Sequence, residues 1–118
     1  MSGEARAALE RARARLEPLA LYPRPIRGDV RIVVLPLFFG LPKLRRYSGY
    51  ALVRTILLRH SPGRGASEDL IAHELCHVWQ MQHRPVHMVW TYLTTRYGEN
   101  PYELEARRAV ELTRPDPA

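Results

Sequence analysis

Ser67 and Pro85 delimit the segment that most narrows what this chain can fold into. Ser67 is a good N-cap, Glu68 and Asp69 follow in the first turn where the helix dipole favours acids, and Pro85 stops the helix soon after His83. At about 100° per residue, Leu75, Val78 and Trp79 fall within about 80° of Ile71. His73, His77 and Gln80 project from the other side. The spacing therefore predicts a helix that packs one face on a core and turns two histidines away from it.

The rest of the chain supplies partners for that helix. Residues 3–20 read as an amphipathic helix with Ala5, Ala8, Leu9, Ala12, Leu16 and Leu19 on one stripe and Ser2 as its cap, although Pro18 disturbs its end. Val30–Leu35 is a short β-branched run that predicts a buried strand, and Tyr50–Arg59 predicts a second. A helix is expected from Pro85 to Gly98, with Val86, Val89, Trp90, Leu93 and Tyr97 on one side. Asn100-Pro101, a cap followed by proline at the first helical position, starts another that reaches about Thr113. Trp79, Trp90 and Phe38 are expected in the core. The order of elements predicts an α+β fold in one domain over residues 1–118.

Composition excludes several alternatives. The chain has 118 residues, enough for one core and too few for two domains. One cysteine, Cys76, rules out an internal disulfide framework and a zinc site built from several cysteines. Cys76 is expected as a small buried hydrophobe rather than a ligand. No apolar run approaches the roughly 20 residues of a membrane span, and the charged N-terminal stretch lacks the apolar centre of a signal peptide, so a cytoplasmic setting is expected. The net charge is +6, and of the 18 basic side chains only Lys43 is lysine. The arginines are spread from Arg6 to Arg114, many near glutamates, with no basic block interleaved with aromatics. That pattern argues against a nucleic-acid partner.

The chemistry is concentrated in His73-Glu74-Leu75-Cys76-His77, an H-E-x-x-H sequence on the predicted helix. Two histidines one turn apart can share a tetrahedral metal ion, and the glutamate after the first can reach a water beside the metal without ligating it. A catalytic zinc site needs a third protein ligand. His83 lies ten residues after His73, but position 80 is Gln rather than the glycine that would swing the chain inward. On a continuing helix His83 is about 15 Å along the axis from His73, where it would interact with the helix C-terminus. Glu103 and Glu105 are the other candidates. Helical periodicity does not separate them, because both flank the apolar stripe of Tyr102, Ala106, Ala109, Val110 and Thr113. Glu103 could instead close a capping box with Asn100 or pair with Arg107.

His73-Glu74-Leu75-Cys76-His77-Val78-Trp79-Gln80, followed by Asn100-Pro101-Tyr102-Glu103-Leu104-Glu105-Ala106, resembles the gluzincins. More narrowly it resembles the small bacterial and archaeal zincin-like proteins sometimes called minigluzincins, with H-E-x-x-H-x-x-Q and a downstream E-x-E-A. The likeness covers residues 50–110. It implies a compact zincin-like α+β fold: an N-terminal helix, a small sheet, the active-site helix and two C-terminal helices. It also implies Zn²⁺ held by His73, His77 and Glu103, with Glu74 as general base in the hydrolysis of a peptide or protein substrate. An edge strand within Tyr50–Arg59 would hold that substrate extended. The aspartate that often follows E-x-E-A is Arg107 here, so the outer support of the histidines is not accounted for.

Donors for the transition-state oxyanion are sought among Tyr92, Tyr97, His87 and Arg107, which no spacing ranks. Two other functions fit the same sequence. One is a latent or purely binding zincin module, with the tail Arg114–Ala118 lying across a cleft. The other is a basic nucleic-acid-binding protein in which H-E-x-x-H is accidental.

Overall fold

The structure is a computed structural model and describes residues 2–41, 49–52, 54–62 and 67–114. Helix α1 (Gly3–Leu16) starts where the Ser2 hydroxyl accepts the Ala5 backbone N–H at 3.1 Å. Its buried stripe is Ala5, Ala8, Leu9, Ala12 and Leu16, and the three alanines let the neighbouring helix come close. The helix expected over 3–20 is shorter than that. Pro18 sits in a separate 3-10 turn at Glu17–Leu19, which ends in left-handed backbone at Ala20 (φ 49°).

Three short strands follow: β1 (Arg31–Val34), β2 (Gly49–Leu52) and β3 (Thr55–Leu58). They form a mixed sheet in the order β1-β3-β2. β1 runs parallel to β3 with Ile32 opposite Ile56, and β2 runs antiparallel to it with Leu52 opposite Thr55. The single strand expected across Tyr50–Arg59 is therefore a tight hairpin. The reversal carries neither glycine nor asparagine, so no local signal marks it. The central strand is the buried one, with Ile56 and Leu58 fully enclosed, and β2 lies at an edge among the described residues.

Helix α2 (Glu68–His83) is capped by Ser67, whose hydroxyl accepts the Leu70 N–H at 3.0 Å. It is the hub: α1 packs against it, β2 and β3 lie against it, and so do α3 (Pro85–Thr94) and α4 (Pro101–Thr113). Leu75, Val78 and Trp79 join Leu16, Ile56 and Leu58 in the main core, with Trp79 only 1% exposed as expected. The opposite face of α2, carrying His77 and Gln80, is buried as well, because α4 covers it. No described helix is long and apolar enough to cross a membrane.

The third helix differs from its expectation in two ways. It ends at Thr94, and the chain goes on through a 3-10 turn at Tyr97–Glu99. Its apolar side, Val86, Val89, Trp90 and Leu93, is exposed, and Met88 and Thr91 are the buried residues instead. Trp90 is 65% exposed and is not a core residue. Phe38 is half-buried, and its neighbour Phe39 takes the enclosed position. Helical periodicity identifies residues that share a face but not what lies opposite that face. Leu75→Ala should lower the unfolding free energy by about 2–5 kcal/mol, whereas Trp90→Ser should change it by less than about 0.5 kcal/mol, both read from urea denaturation.

Candidate metal centre

α4 runs back along α2 and delivers a carboxylate to its two histidines. Asn100 is fully buried, and its side-chain oxygen accepts the Tyr102 N–H at 2.9 Å, fixing where the first turn of α4 begins. Glu103 lies in that turn, and its side chain reaches α2. His73 Nε2 lies 2.7 Å from Glu103 Oε1, His77 Nε2 lies 2.9 Å from Glu103 Oε2, and the two Nε2 atoms are 3.1 Å apart. Ligands at about 2.0 Å around a tetrahedral ion are about 3.3 Å from one another, so these separations suit one ion between them. His73, His77 and Glu103 could hold a metal ion, and their two imidazoles and one carboxylate are a donor set suited to a divalent transition metal.

The local charges point the same way. Glu103 is 2% exposed, and burial alone would favour its neutral form. Bonds and charge from His73 and His77 outweigh that, holding its carboxyl well below the usual range. Burial also disfavours a charged His77, yet the bond to Glu103 and the charges of Glu74 and Glu103 push its pKa up overall. The cluster thus attracts positive charge to the point where the Nε2 atoms meet. Glu74, buried beside it, has its pKa raised by burial and by Glu103, against the opposing pull of the two histidines.

Glu74, His77 and Glu103 line a cleft of about 300 Å³. One wall is β2, through Gly49, Tyr50 and Ala51; the other is apolar and comes from Met81, Met88, Val89 and Leu93. Gly49 is a functional position that sequence reasoning missed. A Cβ there would lie 3.1 Å from Glu74 Cγ and 3.2 Å from Leu70 Cδ1, so the missing side chain lets the strand lie directly against Glu74. A glycine inside a strand pattern is the signal that could have flagged this approach.

The remaining candidates separate cleanly. Glu105 accepts from the Tyr22 hydroxyl at 2.5 Å and from Gln80 Nε2 at 3.0 Å, and stands outside the ligand group. His83 Nδ1 bonds the Trp79 carbonyl at 3.1 Å, its ring stacks on Tyr22, and it too stands outside. Cys76 is fully buried and free, with its thiol pushed up by burial. Tyr92 lines the cleft, its hydroxyl 3.4 Å from Glu103 Oε2. His87 is bonded to the Tyr102 hydroxyl, and Arg107 is exposed on α4. The Tyr97 side chain lies outside the described residues, as does the tail beyond Arg114; Arg114 itself is held by Asp69 at 2.9 Å.

Comparison of the chain with protein-family models, curated proteins and solved structures gave no match. The functional reading therefore rests on the residues and their geometry. In equilibrium dialysis, the wild-type chain and His83→Ala should each retain about one divalent ion, and His77→Ala and Glu103→Ala should retain none. Full retention by Glu103→Ala would remove it from the ligand set.

Proposed function

We propose that this protein is a zinc-dependent peptidase. The observation that carries the reading is the convergence of His73 Nε2, His77 Nε2 and the Glu103 carboxylate beneath a cleft that also holds Glu74 and runs along an edge strand. Zinc held by His73, His77 and Glu103 would supply Lewis acidity and bring the pKa of a water toward about 7.

The chain's own residues have distinct parts in this reaction. The edge of β2, from Gly49 to Ala51, pairs with an extended peptide and sets its carbonyl over the site. Glu74 takes the proton of the attacking water on its carboxylate and passes it to the leaving amine nitrogen. Its burial serves this role, since a raised pKa makes the carboxylate a better acceptor of the water's proton. Tyr92, which lines the cleft, directs its hydroxyl to the developing oxyanion. The apolar walls exclude water from the reacting groups and strengthen these interactions.

A peptide or protein substrate and a cytoplasmic setting complete the proposal. Nucleic-acid binding draws less support, because Arg11, Arg13, Arg15 and Arg114 are engaged with Glu68, Glu17 and Asp69 of the chain itself. Glu74→Gln should bind zinc as the wild type does and lose hydrolysis of an unfolded protein by at least about 100-fold, assayed with a fluorogenic casein. Undiminished cleavage by Glu74→Gln would overturn the mechanism.

A further inference from the structure

Arg107 stands where the resemblance places an acidic residue behind a ligand histidine, yet His77 is not left without outer support. Gln80 is fully buried one turn further along α2, and its Oε1 lies 2.7 Å from His77 Nδ1. Its Nε2 donates to the Tyr102 carbonyl at 2.9 Å and to Glu105 Oε1 at 3.0 Å. Both of those partners are pure acceptors, so both amide hydrogens are committed to them. Turning the amide over would set its oxygen against a carbonyl and a carboxylate, and would be strongly repelled. Gln80 Oε1 is therefore an acceptor, and the atom facing it must be a donor, His77 Nδ1–H. A neutral imidazole has one proton to place, so a proton on Nδ1 leaves the Nε2 lone pair for an ion held beside His73 and Glu103; without an ion, a second proton on Nε2 meets the Glu103 carboxylate.

The arrangement continues outward. Glu105 Oε1, which receives the Gln80 amide, also accepts the Tyr22 hydroxyl at 2.5 Å. Burial and the adjacent carboxylate keep that hydroxyl protonated, so it remains a donor. Tyr22 is braced in turn by Trp79 edge-on and by His83 stacked against it, and the Trp79 indole N–H is tied to the Arg24 carbonyl at 2.8 Å. Three parts of the fold, the segment after α1, the helix α4 and the helix α2, thus meet at one carboxylate oxygen.

We infer that Gln80 and Glu105 are positioning residues forming a relay that fixes the tautomer and ring orientation of His77 for a metal ion, with Tyr22 anchoring its outer end. The inference rests on the metal reading of the site but concerns residues outside the ligand set. It assigns to two residues on separate helices the support that a single acidic side chain provides elsewhere. It also gives the second glutamate of Glu103-Leu104-Glu105 a role of its own: Glu103 faces the ion and Glu105 faces the residue that orients its neighbouring ligand.

The test uses the full chain with Gln80→Leu, Glu105→Ala, Glu105→Gln and the double variant Gln80→Leu/Glu105→Ala. Zinc affinity is measured against a chromophoric chelator, and the protonated nitrogen of the neutral His77 ring is read by ¹⁵N NMR in the metal-free protein. Gln80→Leu and Glu105→Ala should each weaken zinc binding by about 10–100-fold. The double variant should be no weaker than Gln80→Leu, because both act through the same chain of bonds. Glu105→Gln, whose carbonyl can accept both bonds, should recover most of the affinity. The wild-type ring should carry its proton on Nδ1, and Glu105→Ala should shift population toward Nε2–H, which loss of packing alone would not do. Wild-type affinity together with an unchanged Nδ1–H population in Glu105→Ala would overturn the relay, as would strictly additive losses in the double variant. If Gln80→Leu does not fold, the Glu105 variants at their half-buried position decide the matter. A wild type that takes up no zinc would defeat the peptidase reading, while the His77 tautomer would still decide the relay.

Discussion

Burying the Glu103 carboxylate would be strongly unfavourable if nothing met its charge, and removing one partner from such a buried pair typically costs about 3–5 kcal/mol. The structure meets it with His73 and His77, whose Nε2 atoms approach its two oxygens at 2.7 and 2.9 Å. That requirement sets the relation of α4 to α2. The carboxylate has to arrive from a separate element, antiparallel to the histidine helix, at the height of one particular turn. Asn100 and Pro101 begin α4 at the position where its first turn lies over His73 and His77.

With α4 fixed, α2 has to serve two interiors. Leu75, Val78 and Trp79 belong to the apolar core shared with α1 and the sheet, and His77 and Gln80 belong to a polar interior under α4. The two have different rules. The first tolerates exchange of shape and volume, whereas the second requires a donor for each acceptor. Gln80 shows how tightly the second is specified, since its oxygen and both its amide hydrogens have named partners. Gly49 performs the equivalent task on the sheet side by letting β2 approach Glu74.

The parts of this arrangement legible in the sequence were those with local signals. Ser67 and Asn100-Pro101 marked the starts of α2 and α4 because capping chemistry is confined to a few neighbouring residues. His73 and His77 shared a face by spacing alone. The hairpin within Tyr50–Arg59 was not legible, because its reversal uses no turn-forming glycine or asparagine. Trp90 is misplaced because the pattern of Val86, Val89, Trp90 and Leu93 is that of a core helix, while in the fold this side is exposed, with Val89 and Leu93 lining the cleft. Glu103 and Glu105 could not be told apart from within α4: they flank one stripe, and only the neighbour on each side, His73 and His77 for one and Tyr22 for the other, separates them. The support behind His77 was hidden for the same reason, since it joins residues 22, 80 and 105 from a loop and two helices.

The central claim is that one ion is held by two imidazoles and a carboxylate from separate helices, with the lone cysteine uninvolved although it lies on the same helix. X-ray absorption at the zinc edge of the metal-loaded protein tests this most directly. The account predicts two imidazole rings and only nitrogen and oxygen neighbours, at about 2.0–2.2 Å. A sulfur neighbour at about 2.3 Å, or a single imidazole, would contradict it.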